Sequence, residues 1–351
     1  MSNNLKEHFP MIREKDEVLS EIRASKKLLK LFESWRKEQQ EEFLMLCTGV
    51  RGIKLVYDGF FKEIMNPEYA PERMNDFLSQ LLKRTVKVLS VLPTESVRLA
   101  DETSLVMMDI VVELEDGSIA NVEMQKIGYL FPGQRSACYS ADLLLRQYKR
   151  MRDNRQKKFS YRDIKNVYTI VLFENSPSEF CKYPDIYRHY FEQKSDTGLE
   201  MELLQKYVFI PLDIFRKKLH NKGIQSKFDA WLAVFAEDKP EIIEEVIVKY
   251  PEFKRLYEEA YVICRNMERV MEMFSEELYE LDKNTVQYMI DEMQDTIDTQ
   301  KDTIDGQKRL IEKSIADMIQ MMRQLGIPEE DIKKKMQEQY QLYDEEIQKY
   351  L

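Results

Sequence analysis

Apolar and polar residues alternate along two neighbouring runs in the first half of the chain. The segment Leu105 to Gln125, LVMMDIVVELEDGSIANVEMQ, contains both runs, joined by the turn residues EDG at 115–117. Alternation of this kind predicts a β-hairpin with one buried face. A two-residue turn would place Asp109 opposite Met124, whereas a three-residue turn with Gly117 in the left-handed conformation places Asp109 opposite Glu123. We favour the three-residue turn, because glycine adopts a positive φ without strain.

The hydrophobic pattern outside this hairpin predicts a mixed arrangement of strands and helices. The predicted strands are Val86–Leu92, Val167–Phe173 and Tyr207–Leu212, and the predicted helices around them are Gly59–Met65, Glu72–Lys83 and Gln134–Arg150. Helical periodicity also covers residues 1–50 and the chain from about 225 onward. This order favours an α/β protein, in which a mixed sheet with flanking helices spans residues 51–224, between an N-terminal helical extension and a C-terminal helical region at 225–351.

The C-terminal region contains a duplicated heptad, DTIDTQK at 295–301 and DTIDGQK at 302–308. Each heptad offers one isoleucine, but a glutamine or a threonine stands where the second apolar seam residue of a coiled coil belongs. We therefore predict a long helix at 285–325 that pairs weakly, either with a second copy of the chain or with its own core. A solvated single helix is the alternative. After Gly326-Ile327-Pro328, a last helix is expected from 329 to 351.

In the three-residue register, one face of the hairpin carries Asp109, Glu123 and Gln125. The other face, predicted to be the core, carries Val106, Met108, Ile110, Val112, Ala120, Val122 and Met124. Directly opposed carboxylates lie about 5 Å apart at their Cβ atoms and destabilise a hairpin unless a positive charge lies between them. A divalent cation would supply this charge, whereas a solvated polar face is the simpler alternative.

These residues, together with Arg135 and Tyr139 in QRSACYSADLLLRQY, resemble the PD-(D/E)xK nuclease superfamily. The resemblance runs from about Tyr57 to Asp213 and is strongest to the transposase-like, recombination-promoting nucleases, whose third motif position is commonly glutamine, as Gln125 is here. It implies a restriction-endonuclease-like core that cuts DNA with Mg²⁺, or with Mn²⁺ as an alternative, held by Asp109 and Glu123.

The resemblance also implies roles for residues on the helices beside the hairpin. Arg135 would hold the scissile phosphate, and Tyr139 and Gln147 would support it; as an alternative, Arg135 would pair with a structural carboxylate. The apolar stripe of this helix, which we expect to face the sheet, consists of Ala137, Ala141, Leu144, Leu145 and Tyr148. Asp58 and Glu63, on the preceding short helix, are candidates for an additional acid at the metal site. As alternatives, Asp58 is a natural helix cap and Glu63 a natural surface residue.

The formal net charge of −10 is unevenly distributed along the chain. Residues 228–351 contain 16 basic and 30 acidic residues, which leaves 37 basic and 33 acidic residues in the first part. Within that part, the segment Arg146 to Arg162 carries eight basic residues and one aspartate, with aromatic residues between them. Such a stripe, including Arg146, Lys149 and Arg150, could track DNA phosphates, although it would also suit the solvated end of a helix.

Other function classes find little support in the composition. The four cysteines are far apart, without a CxxC pair, and only three histidines are present, which argues against a zinc site, a disulfide framework and a nucleophile with a histidine base. Since no apolar run is long enough for a membrane span or a signal peptide, we expect a cytoplasmic protein. Two further hypotheses remain: a catalytically weak or inactive nuclease fold that binds DNA and oligomerises, and a purely structural coiled-coil protein.

Overall fold

The computed structural model describes residues 4–94, 108–127, 132–155 and 158–340. The chain forms two compact units, Met1–Tyr288 and Met289–Leu351. Among the described residues, no helix has both the length and the apolar content that crossing a membrane requires.

A six-stranded mixed sheet forms the centre of the first unit. Its strands are β1 (Val88–Leu92), β2 (Ile110–Leu114), β3 (Ile119–Ile127), β4 (Val167–Asn175), β5 (His189–Phe191) and β6 (Gln205–Pro211). They lie in the order β1-β2-β3-β4-β6-β5. The pairs β1/β2, β2/β3 and β5/β6 are antiparallel, whereas β3, β4 and β6 are parallel. The three parallel strands therefore begin at one edge of the sheet and end at the other.

Helices precede and follow these strands along the chain. Those before β2 are α1 (Asn4–His8), α2 (Lys15–Ala24), α3 (Lys26–Ser34), α4 (Lys37–Cys47), α5 (Asp58–Ile64) and α6 (Pro71–Leu82). Those after β3 are α7 (Pro132–Arg155), α8 (Ser178–Cys181), α9 (Leu212–Lys222), α10 (Lys227–Ala236), α11 (Pro240–Lys249), α12 (Phe253–Ile263), α13 (Met267–Gln324) and α14 (Glu329–Tyr340).

Both faces of the sheet are buried. Val112, Val122 and Ile170 belong to the large core, which also contains side chains from α2–α6 and α9–α12. On the opposite face, Val111 and Ile119 pack with Leu143 of α7 in a separate cluster. The carboxylate face of the hairpin is therefore covered by α7, because alternate residues of a strand point to opposite sides.

The second unit consists of the C-terminal part of α13 and α14. Ile315 and Ile319 of α13 pack against Ile332 and Met336 of α14, and all four side chains are buried. Before this contact, the heptad isoleucines Ile297, Ile304 and Ile311 are each more than half exposed.

The fold prediction is confirmed in its main elements: a mixed sheet with flanking helices, a helical N-terminal segment and helices from residue 227 onward. The short strand β5 was not predicted. Met108 was wrongly assigned to the core face, since it packs in the cluster beneath α7, and Val106 lies outside the described residues. The last helix is described to Tyr340, so its predicted extension to 351 stays a prediction, as do the domain boundaries at 50 and 224.

Candidate active site

The β2–β3 hairpin has the register that the sequence predicted. Ile110 pairs with Val122, and the Leu114 N–H donates to the Ser118 carbonyl across the turn. Gly117 has a φ of +83° and closes the three-residue turn. The same register brings Asp109, just before β2, to the position opposite Glu123.

Backbone hydrogen bonds hold each of the two carboxylates to the other strand. The Asp109 N–H donates to Glu123 Oε1 at 3.1 Å, and the Met124 N–H donates to Asp109 Oδ2 at 2.8 Å. Both side chains are largely shielded from solvent, with Asp109 12% and the Glu123 residue 4% exposed. The structure therefore brings the two acids together at the open end of the hairpin, beneath the N-terminal part of α7.

Burial and neighbouring negative charges favour protonation of both acids. Burial and the charge of Asp109 raise the pKa of Glu123 to about 8, although the Asn121 amide, the Asp109 N–H and Arg135 act in the opposite direction. Burial and the nearby charge of Asp58 also raise the pKa of Asp109, against the effects of Lys62 and the Met124 N–H. A cation at this position would relieve the repulsion and favour the ionised carboxylates.

A lysine that the sequence analysis missed lies beside this pair. Lys62 Nζ is 2.7 Å from Asp58 Oδ2 and 3.2 Å from Asp109 Oδ1. Burial opposes its charge, but the two carboxylates raise its pKa, so Lys62 is a cation at neutral pH. The i,i+4 spacing of Asp58 and Lys62 on α5 was visible in the sequence, but only the fold brings Asp109 to the same place.

Lys126, the residue after Gln125, does not contact the acid pair among the described interactions. Lys126 points to the opposite face of β3, where its Nζ is 2.6 Å from Glu277 Oε1 of α13 and also contacts the Val56 carbonyl. Glu277 in turn accepts a hydrogen bond from the Asp58 N–H at 3.0 Å. This buried ion pair joins β3, α5 and α13, and leaves Lys62 as the cation nearest to Asp109 among the described contacts.

Gln125 lies on the same face of β3 as Glu123 and is 7% exposed. Its Oε1 has no hydrogen-bond partner among the described residues. A buried carbonyl oxygen without a donor is suited to a bound water or a cation. Within the described part of the chain, no cluster of three or more acidic, histidine or cysteine side chains could hold a metal. The donor set that fits a hard divalent cation is therefore two carboxylates, with the Gln125 amide oxygen beside them.

Arg135 and Tyr139 border the pair from α7. Arg135 Nε donates to the Tyr139 hydroxyl at 2.7 Å, and its guanidinium lies 5.5 Å from the centre of the tyrosine ring. Burial and the charge of Glu123 raise the pKa of Tyr139 to about 12, so its hydroxyl stays protonated at neutral pH. Arg135 is exposed and acts electrostatically on Glu123, which places a cation at the solvent side of the site.

Several predicted site residues lie elsewhere. Gln147 binds the Gly117 carbonyl at 2.7 Å and the Lys165 N–H at 2.9 Å, at the turn end of the hairpin and away from the acids. Arg150 binds Glu113 at 2.6 Å. Arg146 binds Asp142 at 2.7 Å. Glu63 binds Arg269 of α13 at 2.5 Å. Lys149 is exposed on α7.

The buried face of α7 was assigned wrongly. Ala137, Ala141 and Leu145 of the predicted stripe are exposed, and Leu145 is 53% exposed. The residues that face the sheet are Ser136, Tyr139, Ser140, Leu143 and Gln147. The prediction failed because the sheet beneath this helix is itself polar, with buried Asn121 and Thr169, so a partly polar helix face packs on it.

Comparison with known families agrees with this fold. The family described as PD-(D/E)XK nuclease family transposase matches residues 55–291, which is more than half of the chain. The chain therefore belongs to this nuclease family. The match begins before α5 and extends past the sheet into α13. Comparisons with curated proteins and with solved structures found no significant match.

Proposed function

We propose that the chain is a Mg²⁺-dependent DNA endonuclease, with Mn²⁺ as an alternative ion, that hydrolyses phosphodiester bonds in recombination, transposition or defence. The observation that carries this proposal is the pair Asp109 and Glu123, buried side by side with raised pKa values. A hard cation bound between two buried carboxylates offsets their repulsion and favours their ionised forms. The family membership supports nuclease chemistry, and our proposal includes a cytoplasmic location for the enzyme and its DNA.

Asp109 and Glu123 would hold the metal, with the Gln125 amide oxygen orienting a water beside it. When bound, a divalent cation supplies Lewis-acid activation of water and neutralises charge on the phosphate. Lys62 supplies the positive charge that Gln125 lacks, but its raised pKa makes it a stabiliser of negative charge rather than a base. Arg135 would bind a phosphate oxygen with its planar fork, and Tyr139 fixes the orientation of Arg135.

The test is the nicking of supercoiled DNA by the purified protein in Mg²⁺. We expect Asp109→Ala and Glu123→Ala to abolish nicking, and Gln125→Ala to reduce it less. Removal of the metal with EDTA should also stop the reaction. An undiminished rate in Glu123→Ala would remove the site assignment.

One observation favours a second candidate, a catalytically inactive nuclease fold that binds DNA. The ion pair of Lys62 with Asp109 already neutralises one carboxylate without a metal. In this case Lys62→Ala would leave DNA binding unchanged, and neither Mg²⁺ nor Mn²⁺ would produce nicking by the wild-type protein.

We also propose that the chain forms a homo-oligomer through its C-terminal helices. Ile297, Ile304 and Ile311 recur every seven residues of α13 and are 55%, 61% and 53% exposed. A helix that exposes β-branched residues at one heptad position is suited to pairing with an identical helix. The contact with α14 begins at Ile315, so a partner helix would cover the seam before that residue.

A further inference from the structure

A groove of about 420 Å³ lies at the edge of the sheet where the parallel strands begin. Asn166 lines this groove. Its backbone carbonyl accepts a hydrogen bond from the Ile119 N–H at the start of β3, which places the groove at that edge. Glu123 is four residues further along this strand, or roughly 13 Å. The volume is within the range of about 300–1,000 Å³ that is usual for ligand clefts. The groove is lined by Tyr161, Arg162, Lys165, Asn166, Glu202 and Leu204.

Tyr161 presents an aromatic ring at this groove. It is 74% exposed, yet its ring is held by two neighbours, Tyr148 at 6.1 Å with an interplanar angle of 16° and Phe159 at 5.4 Å with an angle of 69°. Exposed aromatic rings held in this way are platforms on which unpaired nucleobases stack. In a duplex the faces of the bases are already stacked, so this platform suits a single strand.

Two acceptors lie in the same groove. Asn166 Oδ1 is buried and has no hydrogen-bond partner among the described residues. A buried acceptor without a donor is costly, so a ligand that donates a hydrogen bond would be favoured there. The Glu202 carboxylate is the second acceptor. Cytosine, adenine and guanine each carry an exocyclic amino group that can donate to such acceptors, whereas thymine carries none.

The backbone at the wall of the groove is strained. Leu204 has a φ of +65°, and the Gln205 N–H donates to the Leu203 carbonyl at 2.8 Å across it. A positive φ is rare for a bulky residue such as leucine. Backbone strain of this kind is found mainly at binding and catalytic sites.

The charge around the groove favours a phosphate. Two basic side chains, Arg162 and Lys165, and one carboxylate, Glu202, line it. Among these lining residues the positive charge is therefore in excess.

We propose that this groove binds an unpaired nucleobase of single-stranded DNA, preferentially one that carries an exocyclic amino group. Tyr161 stacks on the base, Asn166 and Glu202 accept from its amino group, and Arg162 and Lys165 bind the adjacent phosphate. The proposal rests on DNA being the substrate of the proposed nuclease. It adds a contact with single-stranded DNA at the edge of the sheet opposite to the acid pair.

The test is fluorescence anisotropy of the full chain in EDTA with an oligodeoxycytidine of about a dozen nucleotides, within the usual site size of 4–16. Loss of one stacking ring in Tyr161→Ala should weaken binding about 5- to 100-fold, and Tyr161→Phe should restore it. Tyr69→Ala removes a tyrosine that is 83% exposed and serves as the matched control. Asn166→Ala should reduce the preference for oligodeoxycytidine over oligodeoxythymidine.

Three results would overturn the proposal. They are equal binding by Tyr161→Ala and Tyr69→Ala, an equal loss of duplex binding in Tyr161→Ala, and full competition by the mononucleotide dCMP at the same nucleotide concentration, which would identify a free nucleotide as the ligand. Plasmid nicking is measured separately. If the protein does not nick DNA but its oligonucleotide binding depends on Tyr161, only the nuclease proposal is contradicted. If the protein nicks DNA but its oligonucleotide binding does not depend on Tyr161, only the proposal for the groove is contradicted.

Discussion

At the scale of single residues, Asp109 and Glu123 are held close together by hydrogen bonds that each carboxylate accepts from the backbone of the other strand. These bonds fix the two acids but do not offset their burial and the nearby negative charges, which raise the pKa of both carboxyl groups. The presence and register of the pair could be predicted from alternation and from the position of Gly117. The place of Lys62 in the site could not be predicted, because its proximity to Asp109 depends on how α5 packs on the sheet.

Because the Glu123 carboxylate is buried beside Asp109, we predict that Glu123→Gln stabilises the metal-free protein. The pKa of Glu123 is near 4.5 in the unfolded chain and about 8 in the folded protein, so between these values the folded state binds more protons than the unfolded state. The free energy of unfolding therefore falls as the pH rises through this window. The amide does not titrate, and we expect Glu123→Gln to be more stable by roughly 1–3 kcal/mol at pH 8. Urea unfolding in EDTA at pH 5 and pH 8 measures this, and an equal difference at both values would contradict it.

Lys62 gives a second prediction at this scale. If the charge of Lys62 replaces that of the lysine in the PD-(D/E)xK motif, Lys62→Ala should lower the single-turnover cleavage rate by about 10- to 100-fold. This loss is no larger than the usual effect of removing one hydrogen-bond donor to the transition state. Lys62→Arg retains the charge and should preserve more of the rate. Lys54→Ala, a partly exposed lysine that contacts Glu42 and Asp238 instead, is the control. Equal rates for Lys62→Ala and the wild type would assign Lys62 a structural role only.

At the scale of secondary-structure elements, strands and helices with a clear period were predicted within a few residues. The strand β5 was missed because its three residues, His189–Phe191, are partly exposed and carry no alternation. The orientation of α7 was missed because the polarity of the sheet beneath it is a tertiary property. For the same reason Gln147, which supports the hairpin turn, looked like a site residue in the sequence.

The link between β3, α5 and α13 can be tested through its buried ion pair. Glu277→Ala leaves the Lys126 ammonium buried without its carboxylate, and we expect a loss of about 3–5 kcal/mol in the free energy of unfolding. The double variant Lys126→Met/Glu277→Leu removes both charges and should recover most of this loss. Chemical denaturation of the three proteins provides the comparison, and an additive double variant would argue against a direct pair.

At the scale of the whole molecule, the family match and the fold define a nuclease-family core. The heptads of α13 form a separate feature, whose proposed role is pairing with a second copy of the chain. The heptad period was evident in the sequence and α13 is a single helix as expected. Whether it pairs could not be predicted, since glutamines at the second seam position weaken a coiled coil and no contact within the described chain covers Ile297 and Ile304.

Light scattering after size exclusion tests this pairing. The wild-type chain should have a multiple of its monomer mass, and Ile297→Ser/Ile304→Ser should shift it to the monomer, because each seam residue loses its burial in the oligomer. Val248→Ser changes an apolar residue of α11 that is 74% exposed and should have no effect. A wild-type monomer at concentrations well above those of the nicking assay would contradict the proposal.

The central claim is that the acid pair at the open end of the hairpin is the hydrolytic centre. Its most direct test compares Glu123→Gln with Glu113→Gln, since both glutamates are buried on the same face of the hairpin but Glu113 binds Arg150 at the turn end. In a Mg²⁺ titration of supercoiled DNA nicking, we expect Glu113→Gln to cut and Glu123→Gln to be inactive at every Mg²⁺ concentration. Nicking by Glu123→Gln at the wild-type rate would contradict the account.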